Sequence, residues 1–166
     1  MKASPEAFAI YVLEQAWGFR KNDGDVLPTW FVIDDKMGAK IIGTPFDETV
    51  PDVKHRAAEV VAEYITPHTA SVMFVADAWM RQLSESYTNL ADLPEEERRP
   101  VREQVDAVEA IILHVWNRDR TGFTMTRSYR QKDDGSLEIL KEIKSDGVGE
   151  TENFAPVLEA LYEIRQ

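Results

Sequence analysis

The chain of 166 residues contains no cysteine and only three histidines. The first absence excludes disulfide bonds, thiol catalysis and thiolate metal sites. The second leaves few nitrogen ligands, and His55, His68 and His114 lack the spacing that places two metal ligands on one face of a helix. We therefore expect neither a metal site nor a bound cofactor.

Long apolar segments and an excess of basic charge are also missing. No stretch approaches the roughly 18 uncharged apolar residues of a membrane helix, and the first residues lack the apolar core of a signal peptide. The chain is acidic, with 19 basic and 30 acidic residues and a net charge of −11 spread evenly along its length. We expect a cytoplasmic protein that binds neither membranes nor, directly, nucleic acid.

Familiar catalytic motifs are absent as well. The glycines never form a phosphate-binding pattern, and no serine lies in a Gly-x-Ser-x-Gly turn. Asp133, Asp134 and Gly135 fit a hairpin turn, because the later ligands of a calcium loop do not line up with them. These absences argue against the common nucleotide-dependent enzymes and serine hydrolases.

What the chain does contain predicts one globular domain, 1–166, with 43% hydrophobic residues for a core. Ser4, Pro5 and Glu6 mark a helix start, and a charged, proline-containing stretch at 82–104 predicts a solvated connection. The sequence patterns place one helix at about 5–20, a second from just after Pro51 to about 65, and a third at 154–164. They place strands at 29–33, 39–43, 71–80, 108–116, 122–131 and 137–144. The order predicts an α+β fold, with one mostly antiparallel sheet, about three helices packed on it, and a C-terminal three-strand meander followed by a helix.

One charged residue interrupts an apolar strand. Asp77 lies in Ser-Val-Met-Phe-Val-Ala-Asp-Ala-Trp-Met, residues 71–80, two positions before Trp79. Because burying an unpaired carboxylate costs several kcal/mol, Asp77 should be paired, protonated or open to water. We expect an ion pair with Arg127 or a hydrogen bond to His114, both on neighbouring predicted strands; the functional alternative is an acid, base or ligand-binding group.

Short motifs spread over most of the chain resemble those of a loose family of small bacterial and phage hypothetical proteins. They are Ala-Trp-Gly-Phe-Arg at the end of the first helix, Gly24 to Trp30, Pro45-Phe46, and Ala76-Asp77-Ala78-Trp79-Met80. The corresponding strand of that family often reads Val-Ser-Glu-Ala-Trp-Met, so this chain has a shorter carboxylate and lacks a hydroxyl there. The resemblance implies kinship of fold and no particular activity.

The first predicted helix has apolar residues on two sides. Phe8, Tyr11, Val12, Ala16 and Phe19 form one stripe, whereas Ile10, Leu13 and Trp17 lie on nearly the opposite side. The second group requires cover from another element of the chain or from another subunit. Ile10, Leu13 and Trp17 are therefore candidate interface residues.

These observations favour a non-enzymatic protein-interaction or self-associating module, with a homo-oligomer or another protein as partner. The four tryptophans support this hypothesis, because aromatic residues are enriched at interface cores. One alternative is a small hydrolase or ligand-binding domain with a pocket formed by Asp77, Trp79, His114 and Arg127. Another is an acidic nucleic-acid mimic, such as a phage factor directed against its host.

Overall fold

In a computed structural model of the protein, the described residues are 4–24, 26–36, 38–43, 53–80, 108–147 and 154–163. For residues 53, 54, 79, 80 and 163 only the backbone is described. The elements in chain order are α1 (Pro5–Asp23), β1 (Thr29–Asp34), β2 (Ala39–Gly43), α2 (Val53–Ala62), β3 (Thr69–Met80), β4 (Val108–Asn117), β5 (Gly122–Gln131), β6 (Leu137–Asp146) and α3 (Ala155–Glu163). The connection predicted at 82–104 lies outside the described residues.

The six strands form one sheet in the order β2-β1-β3-β4-β5-β6, and every neighbouring pair is antiparallel. The last three strands are consecutive in the chain and are followed by α3, which confirms the predicted α+β fold with its C-terminal meander and helix. β2 and β6 form the two edges of the sheet among the described strands.

Helix α1 begins and ends with local signals that its sequence carries. The Ser4 side chain accepts a hydrogen bond of 3.1 Å from the amide of Ala7, and Pro5 occupies the first turn. At the other end Gly24 adopts a left-handed conformation, with φ of 80°, and its amide donates to the carbonyl of Arg20. A residue without a Cβ takes this conformation without strain, so the helix ends there.

Helix α1 covers one face of the sheet through a narrow line of small and medium side chains. Its buried residues are Ala9, Val12, Leu13 and Ala16. Two alanines allow the helix axis to approach the strands closely, and the core below contains side chains of β1, β3, β4 and β5. This buried line runs between the two apolar stripes predicted from the sequence.

The orientation of α1 corrects part of the interface prediction. Leu13 is only 5% exposed and belongs to the core, and Trp17 is partly buried against it. Ile10 is the one member of the predicted set that is exposed. The reason is that a helix on a sheet buries the side that fits closest, even when larger apolar residues flank it.

The other face of the sheet is covered by α2 and α3 over an aromatic core. Trp30 and Trp116 are fully buried, with ring centroids 5.9 Å apart, and Phe74 and Phe154 pack on Trp30. Two of the four tryptophans are thus core residues, which weakens the tryptophan count as a sign of an interface. None of the described helices is long and apolar enough to cross a membrane.

Candidate functional site

Four polar side chains from four elements meet beside the last turns of α1. Arg20 comes from α1, Asp77 from β3, Glu109 from β4 and Tyr129 from β5. Glu109 is directly opposite Tyr129 in the sheet, and Asp77 is opposite Ile111, one diagonal step from Glu109. We call Arg20, Asp77, Glu109 and Tyr129 the carboxylate cluster.

The Tyr129 hydroxyl is the centre of the carboxylate cluster. It lies 2.9 and 2.8 Å from the two carboxyl oxygens of Asp77 and 2.8 Å from Oε2 of Glu109. Arg20 Nε donates to the same hydroxyl at 2.9 Å. The Arg20 Nε atom is also 3.8 Å from Asp77 and 3.7 Å from Glu109, which gives partial compensation for the two carboxylates.

The Tyr129 hydroxyl lies within hydrogen-bond distance of three carboxylate oxygens but has only one proton to donate. A phenol carries one proton and can donate it to one carboxylate at a time. Burial raises the pKa of Asp77 from 3.8 to about 6, the hydrogen bond from Tyr129 opposes that rise, and the charge of Glu109 adds to it. Burial, followed by the hydrogen bond to Asp77, also raises the pKa of Tyr129. Below pH about 6 the cluster therefore takes up a proton at Asp77, which allows both carboxyl groups to be hydrogen-bonded to the hydroxyl.

The first of the two partners predicted for Asp77, Arg127, is wrong, because Arg127 pairs with Glu14 and Glu142. Arg127 Nε donates to Glu142 Oε1 at 2.6 Å, and its Nη2 forms an ion pair with Glu14. Its guanidinium also lies 5.6 Å from the ring centre of Trp17. The hydrogen bond from Arg127 lowers the pKa of Glu14. Arg127 thus joins α1 to β5 and β6 instead of neutralising Asp77.

His114 lies on the opposite face of the sheet from Asp77. Its Nδ1 is 3.1 Å from Thr124 Oγ1, and its ring stacks on Trp116 with centroids 5.5 Å apart. Trp79 pairs with Glu109 along the backbone, and its side chain is outside the description. The predicted pocket of Asp77, Trp79, His114 and Arg127 is therefore not assembled as one concavity.

Sequence reasoning missed Tyr129, Glu109 and Arg20 as partners of Asp77. A usable signal existed for Tyr129, because it alternates with Arg127 on the apolar side of β5. Glu109 is directly opposite Tyr129 in the β4–β5 hairpin, so the two could have been paired from the hairpin register. Arg20 gives no such signal, since basic residues in the last turn of a helix are common.

The carboxylate cluster can exchange a proton, but its chemistry is otherwise limited. Among the described residues, no group of three or more histidine, aspartate and glutamate side chains is arranged to hold a metal ion. The Asp77 side chain is only 16% exposed, and both of its oxygens lie within hydrogen-bond distance of the Tyr129 hydroxyl.

Large apolar side chains lie exposed on the α1 side of the sheet. Tyr11, Phe19 and Ile41 are 60%, 57% and 69% exposed. Phe8 contacts Tyr11, with centroids 6.4 Å apart, and packs edge-on against Phe31, which is paired with Ile41. Phe19 is eleven residues, or three helical turns, after Phe8 and so shares its side of the helix. We call these five residues the apolar band.

The β6 edge is a second surface with exposed apolar groups. Its residues from Ile139 to Asp146 are exposed, and Ile139, Leu140 and Ile143 are the large apolar side chains among them. Charged residues of both signs lie between and beside them. A strand edge of this kind can accept a further strand.

Comparison with known proteins adds no relative: no family model, curated protein or solved structure matches this chain. The chain's own geometry is therefore the basis for any statement about function.

Proposed function

We propose that the protein is a non-enzymatic module that self-associates. The observation that carries the proposal is the distribution of its exposed side chains. Of the ten large apolar side chains that are exposed among the described residues, six belong to the apolar band or to β6: Tyr11, Phe19, Ile41, Ile139, Leu140 and Ile143. Contiguous exposed apolar surface on a soluble domain is typical of a protein-binding site.

The inward-facing charged groups support the same proposal, because they are used within the fold. Arg127 is only 6% exposed and is paired with Glu14 and Glu142, and Asp77 contacts Tyr129 and Arg20. Enzyme sites tend to keep perturbed groups accessible to a ligand. Asp77, the carboxyl with a strongly raised pKa among the described residues, is mostly enclosed by its neighbours.

The two alternative functions have less support. A pocket for hydrolysis or ligand binding would need Asp77 and His114 on one side of the sheet, and they lie on opposite sides. A nucleic-acid mimic would need a continuous acidic surface. The exposed β6 strand instead mixes lysines with acids, as Lys141, Glu142, Lys144 and Asp146 illustrate.

The test is the molar mass of the protein in solution, measured by size-exclusion chromatography with light scattering over a range of concentrations. We expect the mass to rise above that of one 18.9 kDa chain. The double variant Tyr11→Ser/Ile41→Ser tests whether the apolar band contributes to the rise in mass. Both of these side chains are exposed, whereas Trp17 packs on Tyr129, so a change at Trp17 would also disturb the core. A wild-type protein that stays monomeric at tens of micromolar contradicts the proposal.

A further inference from the structure

The outer edge of β6, on which no other described strand lies, has the length and sequence to pair with a copy of itself. β6 contains ten residues, and its only strand neighbour among the described residues is β5. Building on the proposed self-association, we propose that β6 pairs antiparallel with β6 of a second copy, centred on Ile143, so that two sheets become one continuous sheet. The backbone N–H and C=O groups of an edge strand supply the hydrogen bonds for such a contact.

Only one half of β6 is regular enough to form this pairing. Ser128 is paired with Lys141, but the next residue, Tyr129, is paired with Ile139. Leu140 is therefore an extra residue, and the strand is irregular at that point. From Lys141 to Asp146 the pairing with β5 proceeds one residue at a time. The regular half contains Ile143 near its middle.

Symmetry fixes which residues meet across such a contact. With a twofold axis perpendicular to the sheet, a residue that meets a second residue of the other copy is itself met by the first residue of that copy. The same axis places the α1 faces of the two sheets on one side of the joined sheet. With Ile143 at the axis, Glu142 lies opposite Lys144 of the second copy, and Lys141 lies opposite Ser145. The contact then contains the two Ile143 residues at its centre and one pair of opposite charges on each side of them.

The charges of β6 disfavour the neighbouring registers. An axis at Lys141, Glu142 or Lys144 places like charges directly opposite one another, which destabilises a strand pair. An axis at Ser145 avoids this conflict but leaves most of the strand unpaired. Lysines on edge strands generally prevent association. In the register centred on Ile143, one lysine of each copy faces a carboxylate instead.

The two charged residues that meet in this register are already held on the same side of the sheet. Glu142 contacts Arg127 through Oε1 and remains 55% exposed. Lys144 lies 3.0 Å from Glu6 on α1 and is 38% exposed. Both side chains are thus on the α1 face and accessible at the edge. The second carboxylate oxygen of Glu142 can accept a hydrogen bond from the lysine of a second copy.

The absence of cysteine from the chain makes the register directly measurable. In an antiparallel pair, opposite Cα atoms are about 4.5 to 5.5 Å apart, which is within the range of a disulfide. The variant Ile143→Cys should therefore cross-link to itself under mild oxidation by copper phenanthroline. Ser145→Cys is the matched control, because in this register its counterpart is four residues away along the strand, or roughly 13 Å.

A mixed experiment tests the register more stringently. Lys141→Cys and Ser145→Cys should each fail to cross-link alone and should form a disulfide-linked dimer when mixed. Self-linking of Lys141→Cys at the rate of Ile143→Cys would overturn the proposed register. An absence of cross-linking by Ile143→Cys, while the wild-type protein is dimeric by light scattering, would overturn the β6 contact and leave the proposed self-association in place.

Charge variants provide a second readout that needs no cysteine. Lys144→Glu places an acidic side chain opposite Glu142 of the other copy on both sides of the twofold axis. This variant should convert the dimer to monomer. Lys141→Glu makes the same change of charge on the same strand, but opposite Ser145, and should leave the dimer intact. Equal effects of the two variants would overturn the proposal. A monomeric wild-type protein would contradict both this contact and the proposed function.

Discussion

Replacing Asp77 by asparagine should remove a pH-dependent loss of stability. Burial raises the pKa of Asp77 from 3.8 to about 6 in the folded protein. Because the folded-state pKa is the higher one, the contribution of this group to stability is fully present below pH 3.8 and is lost as the pH rises through about 6. Asparagine resembles the protonated acid in shape, accepts the Tyr129 hydrogen bond and can donate to Glu109.

The size of the effect follows from the pKa difference. About two pH units correspond to about 3 kcal/mol as an upper limit. The side chain is 16% exposed, and water screens the repulsion from Glu109. After screening, we therefore expect Asp77→Asn to raise the free energy of unfolding by about 1 to 2 kcal/mol at a pH above the pKa of Asp77.

The assay is urea unfolding of the wild type and Asp77→Asn at a series of pH values. We expect the two proteins to be about equally stable near pH 4 and the variant to be the more stable by about 1 to 2 kcal/mol near pH 8. Asp133→Asn, the same substitution in an exposed turn, is the control for the removal of one carboxylate. A variant that is less stable than the wild type at pH 8, or a difference independent of pH, would refute this account of the cluster.

Four further substitutions test the carboxylate cluster and the placement of α1. Tyr129→Phe removes the hydroxyl shared by the carboxylate cluster and should cost about 1 to 3 kcal/mol in urea unfolding, and a loss within error of zero would argue against its central role. Leu13→Ala should cost about 2 to 4 kcal/mol because Leu13 is 5% exposed. Ile10→Ala, at 47% exposed, should cost less than about 1 kcal/mol, and equal losses for the two would contradict the orientation of α1. Ser4→Ala should cost about 1 kcal/mol and accelerate amide hydrogen exchange at Ala7; protection as strong as in the wild type would mean that the Ser4 side chain is not the cap.

Much of the fold could be predicted because its signals are local. The proline and the capping serine mark where α1 begins, and the turns at 119–122 and 133–136 separate three strands whose bounds lie within two residues of those observed. Glycine and aspartate at those turns have conformational and hydrogen-bonding preferences that do not depend on the rest of the chain. The number of strands and their order along the chain follow from such preferences.

The environment of Asp77 could not be predicted in the same way. β3 and β4 are not joined by a short turn, since β3 ends at Met80 and β4 begins at Val108, so hairpin rules do not predict the register between them. The diagonal approach of Asp77 to Glu109 depends on that register. The contact with Arg20 depends on how α1 lies across the sheet, which is decided by packing and not by a local motif.

One part of the pocket prediction could have been corrected from the sequence. The short β4–β5 turn pairs Trp116 with Gly122, and counting back along both strands places His114 opposite Thr124 and Ile111 opposite Arg127. Alternate residues of a strand point to opposite faces. His114 and Arg127 therefore cannot line the same side of the sheet, whatever the position of Asp77.

The measurement that tests the central claim most directly is the molar mass of the wild-type protein over a range of concentrations. A self-associating module should approach twice the 18.9 kDa of one chain as the concentration rises. The Lys144→Glu variant should remain near 18.9 kDa under the same conditions. A wild-type mass of 18.9 kDa at every concentration would contradict the account.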